Sequence, residues 1–261
     1  DEPVVSGYLD DVYVYEDFGD YWEVNLNVGN VTNPFQACND IFFKPNGVFK
    51  AVGESNNWSW MPFILIMAIS LVSQYLYVNF VDIEWFAQMN IAAQGDMSPA
   101  EEEQMKAFFT RDALLWSSVI GAFFVPIIVN AIYAVYVNLM TRSDDSHVYG
   151  FTDWYGFAWW LSMPYVLTGL VGVALLLFAG DHQVAPSILS PASLGYIANI
   201  PMDSPWYAFG QALRVELFWG IYLATVGITQ WTAFSLKKAA LIASAPYIVI
   251  YGIWLIALAL F

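Results

Sequence analysis

The chain has 261 residues, of which 59% are hydrophobic and 12% charged, with a mean hydropathy of +0.53. Soluble domains carry roughly 25% charged residues, so this chain is too apolar to cover its own surface in water. Its formal net charge of −15 repels nucleic acid and anionic lipid and argues against a DNA- or RNA-binding role.

The acids are concentrated. Residues 1–54 hold ten of them against Lys44 and Lys50, and residues 82–112 hold seven against Lys106 and Arg111. A partner surface and adaptation to salt both explain such a balance. The start shows neither a basic stretch nor an apolar run of the signal-peptide kind. Residue 1 is Asp, so the numbering need not begin at the initiator Met.

Residues 1–30 are acidic and aromatic. Val12-Tyr13-Val14-Tyr15 and Val24-Asn25-Leu26-Asn27-Val28 alternate with period two, which reads as a small hairpin or as a tail that orders on a partner. Residues 31–60 read as short amphipathic helices that lie in the membrane interface or pack as ordinary helices on the bundle. Thr32-Asn33-Pro34 is a helix start, and Phe35, Cys38, Ile41 and Phe42 follow at spacings of three, four and seven as one apolar stripe. Cys38 is the single cysteine, so there is no disulfide framework and no cysteine metal cluster.

Five apolar runs can each cross about 30 Å of hydrocarbon, which takes roughly 20 helical residues: 61–81, 113–140, 154–179, 206–233 and 239–261. Twelve Trp and sixteen Tyr fit aromatic belts at two interfaces. Ser98-Pro99 with Glu101 is a capping box, and its helix is expected to continue into the second run. Asp153 caps the third run, Ser204-Pro205 opens the fourth, and Pro126 and Pro164 kink the second and third. The fold class is all-α: a polytopic membrane protein of five transmembrane helices, 61–261, preceded by short amphipathic interfacial helices. Lys44, Lys50, Arg142, Lys237 and Lys238 fall on one side, which places the N-terminus in the cytoplasm and the C-terminus outside.

Chemistry-bearing motifs are few. His147 and His182 fall in loops on opposite sides, so they share no metal site. Asp144-Asp145-Ser146-His147 reads as a solvated loop. No metalloprotease helix, nucleophile elbow or phosphate-binding loop is present; no catalytic residue, metal or cofactor is expected, and the chain is not expected to be an enzyme. Arg214 and Glu216 are the charges nearest hydrocarbon and are functional candidates for that reason. Counting back from Lys237 puts them at the outer boundary, where Arg214 snorkels to water. Asn130, Tyr133, Thr225 and Gln230 are polar positions of spans two and four. Helix-to-helix hydrogen bonds explain them, and so does a path for a small solute or ion. Such a path needs a polar cavity reaching the midplane. Gly220-x-x-x-Ala224 and Ala240-x-x-x-Ser244 are close-approach sites within the bundle or between subunits of a homo-oligomer.

The stretch from Asn33-Pro-Phe-Gln-Ala-Cys through Phe49-Lys-Ala-Val resembles the opening segment of the Yip family, the Ypt/Rab-interacting membrane proteins, in its bacterial branch. Asp153-Trp-Tyr-Gly-Phe-Ala-Trp-Trp, then Pro164, is similar to that family's third span. Phe218-Trp-Gly through Trp231, then Lys237-Lys-Ala, is similar to its fourth span and closing loop. The resemblance covers about residues 33–261 and implies a five-helix bundle in an internal or inner membrane. It carries no catalytic residues over. Eukaryotic members bind small GTPases in vesicle traffic, a role that does not transfer to a bacterial chain. The reading is therefore a non-enzymatic inner-membrane protein whose cytoplasmic segment 1–60 docks a protein partner, its other contact being the lipid bilayer; the alternative is the channel or transporter.

Overall fold

The computed structural model describes residues 31–146 and 148–260, together with the backbone of two short strands. β1 (Val12–Val14) pairs antiparallel with β2 (Val24–Leu26), Tyr13 opposite Asn25. The rest of the tail or hairpin expected over 1–30 lies outside the described residues, as do His147 and the last residue of the fifth expected span.

From residue 31 the chain builds the near end of the bundle first. Asn33 caps α1 (Pro34–Asp40) by accepting from the Gln36 N–H at 2.9 Å, with Pro34 in the first helical position, where its missing N–H costs nothing. α2 (Pro45–Glu54) starts on Pro45 in the same way and buries Val48, Phe49 and Val52. The four residues of the expected stripe, Phe35, Cys38, Ile41 and Phe42, are buried to different degrees. Ala37 and Ile41 are fully buried, and Cys38 and Phe42 are half-buried. Phe35 is 73% exposed and points the other way, as does Phe43 at 77%.

Four helices among the described residues are long and apolar enough to cross a membrane: α3 (Trp60–Phe80), α6 (Arg111–Thr141), the pair α7 (Phe151–Leu161) and α8 (Pro164–Leu177), and α12 (Leu236–Leu260). α7 and α8 meet at Ser162-Met163, since Pro164 cannot supply the N–H a continuous helix needs there. α6 runs on through Pro126. Asp153 is the third residue of α7, not its cap. Its carboxylate accepts from the Gly150 N–H at 2.8 Å.

At the far end, α4 (Ile83–Ala92) is capped by Asp82, whose carboxyl is held below the usual carboxylate range chiefly by the Trp85 N–H. α5 (Pro99–Phe108) has the expected capping box, Ser98 with Glu101. It does not continue into the second span. Phe109 and Thr110 break the chain, and Thr110 caps α6 afresh from the Ala113 N–H at 3.2 Å. Arg111 then ties α6 to the end of α3 through the carbonyls of Val78 and Val81.

The run 206–233 is not one helix. It divides into α10 (Tyr207–Ala212) and α11 (Val215–Trp231), with Leu213 and Arg214 extended between them. α11 has 17 residues and is about 25 Å long, short of a full hydrocarbon crossing. The cause is a strand-like bridge between Ser193 and Arg214. The Leu194 N–H donates to Leu213 O at 2.8 Å, and the Val215 N–H to Ala192 O at 3.1 Å. The bridge satisfies backbone groups that a break in a helix would otherwise strand in apolar surroundings.

The residues before it form a 3₁₀ turn (Pro186–Leu189) and α9 (Leu194–Ile197), which fold back against the spans. Gly172 of α8 admits the turn. A Cβ there would lie 2.9 Å from backbone atoms of Leu189. Tyr77 pins the same segment, its hydroxyl donating to Val184 O at 2.8 Å.

The buried residues form two main clusters. The near one unites α1 and α2 with Trp154, Phe157, Trp160, Leu223 and Trp231; the far one unites Tyr77, Val78, Val81, Phe86, Leu176 and Ile188. α6 and α12 leave apolar side chains such as Phe124, Ile128, Ile250 and Ile253 exposed, as expected where lipid is the solvent. In the near cluster, Gly227 lets Phe157 and Phe49 close onto α11. A Cβ there would lie 2.2 Å from the Phe157 ring, whereas one at Gly252 meets nothing within 4 Å. Gly227→Ala should lower the melting temperature of the detergent-solubilised protein, with about 1–3 kcal/mol of overpacking outweighing the helix-propensity gain. Gly252→Ala should leave it unchanged or raise it. Equal behaviour of the two variants would contradict the close approach.

Candidate functional site

Among the described residues, one cavity lies at mid-depth of the bundle and another at its near end. The first has a volume of about 370 Å³ and lies among α3, α6, α8 and the start of α11. Ser70 is the middle residue of α3 and Pro126 the middle residue of α6, and both line it, so it sits near half-depth. Ser73, Gln74, Thr168, Ser190, Arg214 and Glu216 supply its polar wall.

Arg214 and Glu216 are therefore not at the outer boundary. The count from Lys237 assumed one long helix through 206–233, but α11 begins only at Val215, beside Tyr165 and Thr168. Glu216 is 2% exposed. One of its oxygens accepts from the Thr168 hydroxyl, while Oε2 is buried with no hydrogen-bond partner. Ser73, 7% exposed, has an unpartnered hydroxyl on the same cavity. Arg214 is half-buried. Its Nε donates to Gln211 O at 2.7 Å, and its guanidinium carbon sits 6.0 Å from the centre of the Tyr165 ring. No ion pair closes between Arg214 and Glu216, two positions apart on the chain.

The other expected polar positions do not converge here. Asn130 accepts from the Ser162 hydroxyl at 3.3 Å, and Tyr133 is buried against Tyr136 and Tyr247. Thr225 returns its hydroxyl to Ile221 O at 2.8 Å, and Gln230 is exposed, 3.5 Å from Asn46. None of the four lines either cavity. Sequence reasoning missed Ser70, Ser73, Gln74, Thr168 and Ser190. Hydroxyls at 70 and 73 in an otherwise apolar span were the available signal.

The near-end cavity, about 540 Å³, lies between the end of α2, the loop 55–59 and the start of α7. Trp60, Phe63, Tyr149, Tyr155 and Trp159 give it aromatic walls, and Glu54 and Asp153 are exposed carboxylates at its rim. Asn57 turns the loop with a φ of 65°, a conformation asparagine tolerates better than most residues. Burial pushes the Cys38 thiol up to about 11, so it is protonated and unreactive at neutral pH. His182 hydrogen-bonds Phe80 O at 2.7 Å and stacks near the Phe80 ring. Among the described residues no group of three or more His, Cys, Asp or Glu is placed to hold a metal.

Membrane-length apolar helices around a polar interior define a polytopic all-α membrane protein. The Yip1 domain family model matches residues 39–258, and the chain belongs to the Yip family. No curated protein and no solved structure gives a significant match.

Thr168→Val removes the donor to a buried carboxylate while keeping side-chain shape. The variant should melt earlier, by the equivalent of about 1.5–3 kcal/mol. Unchanged stability would show that Thr168 does not support Glu216.

Proposed function

We propose that this chain is a bacterial inner-membrane member of the Yip family that catalyses no reaction and organises partner proteins or membrane through its N-terminal segment. In this reading α11, continued by the folded-back segment before it, is the fourth of five crossings. The N-terminus is then cytoplasmic and the C-terminus outside. Lys44, Lys50, Arg142, Lys237 and Lys238 give the N-terminal face its positive-inside bias. The contact of Lys238 Nζ with Ser143 Oγ at 3.2 Å supports placing the second and fourth connections on one face.

The observation that carries the docking role is the near-end cavity. The N-terminal segment itself builds it, from Glu54 through Trp60, and its rim carboxylates and aromatic walls suit a basic side chain. Further acids lie upstream in residues 1–30 and extend the same charge. Phe35 and Phe43, exposed on the outer side of α1 and the turn after it, are placed to enter one leaflet beside the bundle. A solute path, the second reading, rests on the mid-depth cavity alone.

Partners of the full chain, of a 1–30 deletion and of Glu54→Lys should be compared by cross-linking in membranes before solubilisation. The proposal expects the same partner to be lost from both variants while Gln230→Ala retains it. Retention of every partner after the deletion would overturn the docking role.

A further inference from the structure

The mid-depth cavity carries an inference independent of the docking reading. Glu216 Oε2 and the Ser73 hydroxyl are buried polar atoms without partners, and both face one space of about 370 Å³. Leaving a buried acceptor unsatisfied is costly, and leaving a buried carboxylate oxygen so is more costly still. A group that donates hydrogen bonds to Glu216 is the missing element.

Charge balance narrows its identity. The wall holds one guanidinium, always protonated, and one carboxylate, with no ion pair between them. A lone cation would leave the low-dielectric site net positive, and a lone anion would leave it net negative. A molecule carrying both charges keeps the site neutral and partners both side chains. Arg214 has its terminal guanidinium nitrogens free for an anion, since only Nε is engaged, by Gln211. The start of α11 lies at the same place, where the helix dipole favours negative charge. The volume is at the small end of ligand pockets, roughly 300–1,000 Å³.

We propose that this cavity binds a small zwitterion, with a primary ammonium on Glu216 and Ser73 and a carboxylate or phosphate on Arg214. Two sources offer that chemistry: a free amino acid of small side chain, and the headgroup of an aminophospholipid entering from the bilayer. A quaternary ammonium has no N–H to give Glu216, so a choline headgroup does not fit.

The test uses the full-length protein, stripped of lipid in detergent and then placed in nanodiscs. Binding of radiolabelled glycine and L-alanine is measured by equilibrium dialysis, and thermal stability is compared in phosphatidylethanolamine and phosphatidylcholine discs. Saturable amino-acid binding weakened more than about thirtyfold in Glu216→Gln and in Arg214→Gln supports the free solute. Stabilisation by phosphatidylethanolamine over phosphatidylcholine, lost in both variants, supports the headgroup. Ser73→Ala, the milder change, should weaken binding severalfold and guards against variants that fail to fold. The inference is overturned if wild-type protein shows neither response, or if sodium chloride alone stabilises it as strongly as glycine does.

Discussion

The closure of Phe49 and Phe157 over Gly227 holds the N-terminal segment to the membrane bundle, and the near end of the molecule depends on it. With no side chain at 227, the Phe49 and Phe157 rings approach to 5.0 Å between centroids against the face of α11. Trp231, one turn further on, donates its indole N–H to Phe49 O at 2.8 Å and stacks on Tyr149 at 4.3 Å. Tyr149 leads into α7, so one tryptophan links α2, α7 and α11. The aromatic walls of the near cavity are what remains exposed at the edge of this junction. A helix resting on a leaflet would be free to leave it; α2 has no such freedom, because its buried face is part of the core.

The other end of the bundle answers a different constraint. Water is absent at mid-depth, so irregular backbone survives there only where protein satisfies its polar groups. The Ser193–Arg214 bridge does so, and Tyr251 of α12 adds a donor to Ala212 O at 2.7 Å. Ending α11 early sets its N-terminus and Glu216 inside the membrane depth. The two apolar cores lie at opposite ends of α3, with the polar space between them. A packed near end and a polar middle are thus separate consequences of one chain path.

Much of this was legible from residue patterns. The apolar runs around 61–81, 113–140 and 239–261, the Asn33-Pro34 start and the Ser98–Glu101 box rest on local rules of length and capping, which tertiary contacts do not override. The fourth run misled because its composition is apolar throughout, whereas its break at Leu213-Arg214 comes from pairing with residues 192–194. No local signal marks a bridge to a segment twenty residues away. The depth of Glu216 was lost with that helix. The Phe35–Phe42 stripe divides between core and surface for a related reason: periodicity shows that a helix has apolar positions, not which of them meet the bundle. Arg214 and Glu216 were nonetheless singled out from sequence, because charge in an apolar run demands a reason wherever the helix begins.

The account stands on α2 being a built-in part of the bundle, and hydrogen–deuterium exchange of the full-length protein in nanodiscs tests that most directly. Amides of residues 45–54 should be protected as strongly as those of residues 223–231 in α11, both opening only with the near core. Exchange of 45–54 orders of magnitude faster, with α11 still protected, would show a peripheral helix and contradict the account.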